Sequence, residues 1–121
     1  MKLAAIDIGS NGIRLQIIRV YINNEGVRFK KLEFIRFPLG LGRTVFQSGK
    51  IEETTLDRLL KLMQSFKSLM DLYEVDNYIA TATSAMREAA NKEEVVERIE
   101  KECGIRIRII SGQLEAEILS K

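Results

Sequence analysis

The sequence predicts an α/β domain whose mixed sheet opens with a three-stranded antiparallel meander. Three observations predict it. Apolar and alternating runs occupy the first third of the chain, broken by two Gly/Asn-rich turn signals. A long stretch follows in which apolar residues recur at three- and four-residue spacings. Two further short apolar runs are each reached through a helical pattern, which favours parallel pairing.

Leu3 to Ile8 reads as a short buried strand that stops at Gly9-Ser10-Asn11-Gly12. Ile13 to Ile22 alternates, with Ile13, Leu15 and Ile17 on one side and Arg14 and Gln16 on the other. Asn23-Asn24-Glu25-Gly26 is a second turn, and Val27 to Phe37 supplies the third strand. Pro38 to Gly49 contains Gly40, Gly42 and Gly49 and reads as an ordered connection without regular structure. A helix is expected from Glu52 to Tyr73, because Leu56, Leu59, Leu60, Met63, Phe66, Met70 and Tyr73 fall on one face, as core packing does. Tyr78 to Ala82 is a small-residue strand of the kind buried in a sheet centre, and Thr83-Ser84 offers an N-cap to a short helix, Ala85 to Ala90. Asn91 with Glu94 three positions on resembles a capping box for a helix with Val95, Val96, Ile99 and Cys103 inside and Gly104 as its stop. Ile105, Ile107 and Ile109 then alternate with Arg106 and Arg108 as a half-exposed strand; Ser111-Gly112 ends it, and Leu114 to Ser120 begins a helix. No repeat, low-complexity tract or linker divides residues 1–121, which read as a single domain.

Composition narrows the function classes. The chain has 121 residues, 45% hydrophobic and 30% charged, as a soluble globular domain has. Nineteen basic residues against seventeen acidic ones leave a net charge of +2, which does not suggest a nucleic-acid polymer or a membrane surface as partner. There is no histidine, so no Ser-His or Cys-His pair can form within the chain, and the one cysteine, Cys103, has no disulfide partner. No stretch approaches the roughly 20 apolar residues that cross a bilayer. A reducing cytoplasm is the expected location.

The chemistry concentrates in Asp7-Ile8-Gly9-Ser10-Asn11-Gly12-Ile13-Arg14, between two expected strands. Glycines flanking a hairpin turn expose backbone N–H groups to an anion without a Cβ in the way. Ser10 and Asn11 add side-chain donors, and Arg14 adds a planar, permanently charged fork. Asp7, ending a buried strand beside the loop, can reach a metal or a water near a phosphate. Arg87 follows Thr83-Ser84 at the start of a helix and can converge with Arg14 on one phosphate; a surface ion pair with Glu88 or Glu94 is the competing reading. Ser84 reads as a helix cap that can also touch the ligand, and Asn91 mainly as a cap.

The pattern Asp-Ile-Gly-Ser-Asn-x-x-Arg resembles the first phosphate motif of the actin/sugar-kinase/Hsp70 superfamily. Ala82-Thr83-Ser84-Ala85-Met86-Arg87-Glu88-Ala89-Ala90-Asn91 and Ile110-Ser111-Gly112-Gln113-Leu114-Glu115-Ala116 resemble two signatures of one branch, the exopolyphosphatase/guanosine-pentaphosphate phosphatase (Ppx/GppA) family. Two residues depart from the pattern: Gly12 stands where the family usually has Ser, and Leu114 where it usually has the first Glu of a Glu-Glu pair. The resemblance implies a ribonuclease-H-like (actin-like) half-lobe, the N-terminal part of the first lobe of a longer phosphatase. It implies hydrolysis of inorganic polyphosphate or of guanosine pentaphosphate (pppGpp to ppGpp), with Glu115 as the general base that activates water and Mg2+ as cofactor. Gly9, Ser10, Asn11, Gly12, Arg14, Ser84 and Arg87 would hold phosphate, with Asp7 meeting the metal through water. A second phosphate loop lies downstream in the family, so the isolated piece is expected to be inactive; the parent's oligomeric state stays open, a homodimer among the options. A sugar or acid kinase of the same superfamily, or a non-catalytic polyphosphate or ppGpp-binding module, are the alternatives.

Overall fold

The computed structural model describes residues 1–111. The chain order is β1 (Lys2–Ile8), β2 (Ile13–Asn23), β3 (Gly26–Phe37), α1 (Leu41–Ser48), α2 (Glu53–Leu72), β4 (Asn77–Ala82), α3 (Ser84–Glu88), α4 (Lys92–Cys103) and β5 (Arg108–Ile109). The strands form one sheet in the order β3-β2-β1-β4-β5. The first three pair antiparallel, and β1, β4 and β5 pair parallel. The mixed sheet and its opening meander are therefore as expected.

Period-two alternation decides the faces. Ala4, Ile6 and Ile8 of β1, Ile13, Leu15 and Ile17 of β2, and Ala80 and Ala82 of β4 are buried in one core with Leu56, Leu59, Leu60, Met63, Phe66 and Met70 of α2 and Val95, Ile99 and Cys103 of α4. The helical stripe is core, as its spacing indicates. The opposite face carries a lateral row across all five strands, Arg36–Arg14–Asp7–Thr81–Arg108, every member paired in register with the next. A bulge at Ile17/Ile18 sets part of that row. The turn-side register pairs Asn23 with Gly26, whereas beyond the bulge Arg14 pairs with Arg36 and Ile13 with Phe37. Without the extra residue Ile13 would face Arg36, which would then point into the core.

Four expectations need correction. Residues 38–49 are not irregular: α1 spans Leu41–Ser48 because Leu41 and Val45, one helical turn apart, are both buried. Its glycines serve specific positions. Gly49 takes the left-handed conformation (φ 78°) that ends the helix, and its N–H donates to the Val45 carbonyl at 2.7 Å. Gly42 lies so close to Ser10 that a Cβ there would sit 3.1 Å from the Ser10 Cβ.

The helix after β4 is shorter than expected, Ser84–Glu88, and Ser84 is its first residue, not its cap; Thr83 precedes it and makes no capping bond. Asn91 does precede α4, but no side-chain cap forms. Its amide instead spans to the chain before α2, where Oδ1 accepts from the Ile51 N–H at 2.9 Å and Nδ2 donates to the Ile51 carbonyl at 2.9 Å. The last strand is paired only at Arg108–Ile109. Ile105 and Ile107 are buried, but the Arg106 N–H is taken by the Tyr78 hydroxyl at 3.1 Å, which displaces a ladder bond. Gly104 ends α4 in the left-handed region as expected (φ 71°). The helix expected over Leu114 to Ser120 lies outside the described residues.

Candidate functional site

The parallel strands β1, β4 and β5 run in one direction, so their C-terminal ends share an edge of the sheet. In open α/β sheets that edge is where loops and helix starts converge on ligands. Here the β1–β2 turn, the β4–α3 junction and the start of α1 meet. The Gly9 N–H donates to the Gly12 carbonyl at 3.0 Å, closing the turn, and the Thr83 N–H donates to the Ile8 carbonyl at 3.1 Å. The Gly42 N–H donates to the Ser10 carbonyl at 2.9 Å. Ser10 Oγ and Ser84 Oγ share a hydrogen bond of 2.6 Å.

Between these elements lies an open cavity of about 380 Å³, lined by Asp7, Gly9, Ser10, Asn11, Gly12, Arg14, Arg36, Thr83 and Ser84. Seven of the residues read from the sequence thus come together: Asp7, Gly9, Ser10, Asn11, Gly12, Arg14 and Ser84. Arg14 Nη2 donates to Asp7 Oδ2 at 2.7 Å, a pair set by the direct register of β1 and β2. Both side chains are about half-exposed, at 53% and 37%, so the pair orders the arginine more than it stabilises the fold.

Arg87 does not line this cavity. Its Nη1 donates to the Ile110 carbonyl at 2.7 Å, and its Nε stands 3.9 Å from Glu88 Oε1. The Ile110 N–H in turn donates to the Ala82 carbonyl at 3.0 Å. Arg87 therefore ties the chain leaving β5 to α3, just ahead of Ser111. Glu115 lies outside the described residues. Arg36, which the sequence reading missed, lines the cavity instead; its place depends on the β2–β3 bulge.

Magnesium prefers hard oxygen donors, keeps several waters, and is held by one or two carboxylates plus substrate phosphates. Asp7 offers one carboxylate in the cavity, with Oδ2 already accepting from Arg14. Among the described residues no group of three or more His, Cys, Asp or Glu could hold a metal. The described residues of the cavity would fit an ion held through water and phosphate.

The profile of the Ppx/GppA phosphatase family matches residues 20–120. A bifunctional 3-dehydroquinate synthase/phosphatase of Fusobacterium nucleatum is 36% identical over 95% of this chain, which spans 18% of that protein. Exopolyphosphatase 1 of Mycobacterium leprae is 29% identical over 98% of this chain, which spans 34% of its length. The crystal structure of an exopolyphosphatase from Cytophaga hutchinsonii superposes with a TM-score of 0.87 at 35% identity, covering 98% of this chain and 36% of that one. At 10% identity and a TM-score of 0.56, RuvC of Thermus thermophilus shares the fold alone. The chain thus spans about a third of the exopolyphosphatases it resembles.

Proposed function

Since the chain belongs to the Ppx/GppA phosphatase family, we propose that it supplies one half of the phosphate-handling site of a hydrolase that removes terminal phosphate from inorganic polyphosphate or guanosine pentaphosphate. The observation that carries this reading is the convergence of Asp7, the Gly9–Gly12 turn, Arg14 and Ser84 on one cavity at the C-terminal edge of the parallel strands. Two exopolyphosphatases among its relatives support the substrate class.

Hydrolysis of a phosphoanhydride forms a bond from water oxygen to phosphorus and breaks the bond from phosphorus to the bridging oxygen. Catalysis consists chiefly of holding the phosphate and neutralising its charge. In this reading the Arg14 fork, held by Asp7, and the hydroxyls of Ser10 and Ser84 take the non-bridging oxygens. Glu115 accepts the proton of the attacking water as general base. Asp7 would hold magnesium through water, and that ion, when bound, neutralises phosphate charge. Arg87, tied to Ile110, steadies the strand end from which the chain runs on toward Glu115.

The test is phosphate release from long-chain polyphosphate, with magnesium, by the protein that carries this segment, beside its Glu115→Gln variant. The expected result is release that falls at least about a hundredfold in the variant. Release unaffected by Glu115→Gln would remove the base from that residue. No release from polyphosphate or from guanosine pentaphosphate, with ligand still bound, would make the domain a binding module.

A further inference from the structure

Both arginines that the sequence offers as anion ligands at this edge are already engaged. Arg14 donates to Asp7, and Arg87 donates to the Ile110 carbonyl. Arg36 is exposed and lines the cavity, and its side chain makes no hydrogen bond or ion pair among the described residues. We propose that Arg36 is the anion-binding arm of this pocket, taking non-bridging oxygens of a bound phosphate chain, and that Gly12 is what lets it lie there. The inference rests on the reading of the cavity as a phosphate site and adds the side chain that brings it unspent positive charge.

Three observations carry it. First, the guanidinium is laid against the turn: a Cβ on Gly12 would stand 3.2 Å from Arg36 Nη2 and 3.4 Å from its Cζ and Nε. The 3.2 Å contact is tighter than an ordinary van der Waals approach, so a side chain at position 12 would displace the guanidinium by at least a few tenths of an ångström. Second, Arg36 is paired directly opposite Arg14 across β2 and β3. Like charges in that relation destabilise a sheet, and Asp7 answers only one of the two. An anion between them offsets the second. Third, a guanidinium presents parallel N–H donors that match phosphate oxygens, and it keeps its charge at any physiological pH. The bulge at Ile17/Ile18 puts Arg36 on the outer face in the first place.

The experiment is a titration of the ¹⁵N-labelled protein that carries this segment with inorganic tripolyphosphate, followed by the amides of Gly9 to Gly12. In the unaltered chain those amides should shift. Arg36→Gln should raise Kd about tenfold or more, the scale of a lost charge-assisted contact, with Arg36→Lys in between. Gly12→Ala should weaken binding by a smaller factor, and adding Arg36→Gln to it should bring the loss to that of Arg36→Gln alone, because both act on the same guanidinium. Both sites are exposed or in a turn, and an unchanged dispersion of the remaining amides confirms that each variant is folded. If the loop amides respond with the same Kd in Arg36→Gln, the arm is refuted while the pocket stands. If they do not respond in the unaltered chain, the phosphate reading fails, and the arm with it.

Discussion

Ser10 Oγ and Ser84 Oγ lie 2.6 Å apart although 74 residues separate them in the chain. The contact fastens the β1–β2 turn to the first residue of α3. The Gly42 N–H on the Ser10 carbonyl and the Thr83 N–H on the Ile8 carbonyl hold the same turn from two other elements. The turn is thus fixed from outside itself, which, if the proposed anion binds there, limits the ordering cost of binding.

Ser84→Ala should therefore affect binding more than folding. The pair is exposed, so its loss should lower stability by no more than about 0.5–1.5 kcal/mol. Tripolyphosphate affinity should fall further, because a donor is lost and the turn is loosened. Urea unfolding beside the titration separates the two. A stability loss with unchanged affinity would reduce Ser84 to a structural tie.

Gly42 gives a sharper contrast. Its added Cβ would meet the Ser10 Cβ at 3.1 Å and the Ser10 carbonyl oxygen at 3.2 Å, whereas one at Gly40 would meet nothing nearer than that same oxygen at 4.0 Å. Gly42→Ala should cost about 1–3 kcal/mol as an overpacking change and move the Ser10 amide resonance. Gly40→Ala should be close to neutral on both counts. Equal effects from the two would show that neither glycine is needed for close approach.

Asn91 makes the third case. Its amide closes two 2.9 Å bonds with the backbone of Ile51 and so joins the start of α4 to the entry of α2. Removing it leaves a donor and an acceptor without their partner, and Asn91→Ala should cost about 2 kcal/mol or more. The Glu94 side chain makes no hydrogen bond or ion pair among the described residues, so Glu94→Ala should change unfolding by less than about 0.5 kcal/mol. The capping-box reading requires comparable losses at both positions, and a denaturation series on the two variants decides between them.

What the sequence made legible was whatever depends on local period. The alternation of Ile13, Leu15 and Ile17, the stripe from Leu56 to Met70, and Gly104 as a helix stop all needed only neighbouring residues. The failures are non-local. Gly40, Gly42 and Gly49 look like breaks until Ser10 is known to press on Gly42, and so α1 was hidden. Ser84 resembles a cap because its partner, Ser10, lies in another element. Arg36 was invisible for a subtler reason. Counting back from the Asn23–Gly26 turn places it opposite Ile13 and facing the core, and only the bulge at Ile17/Ile18 returns it to the outer face beside Arg14. The β1–β2 turn was legible because its polar groups and its geometry occupy the same few consecutive residues.

Alkaline pH supplies the last prediction. Burial, with the nearby Glu102 carboxylate as the smaller cause, pushes the Cys103 thiol above its ordinary pKa; its Sγ lies 3.4 Å from the Leu60 carbonyl. The Tyr73 hydroxyl is raised too, first by its hydrogen bond to Glu33 and then by burial. For each group the neutral form is favoured by the fold. Its contribution is fully present below the unfolded pKa, about 8.5 for the thiol and about 10 for the phenol, and is lost as pH climbs through the folded value. Urea unfolding from pH 7 to 10 should show stability declining above about pH 8.5, with a shallower decline in Cys103→Ala. Tyr73→Phe should flatten only the upper end, near pH 10. A Cys103→Ala profile parallel to that of the unaltered chain would mean that the thiol ionises as freely folded as unfolded, which its burial against Leu60 does not allow.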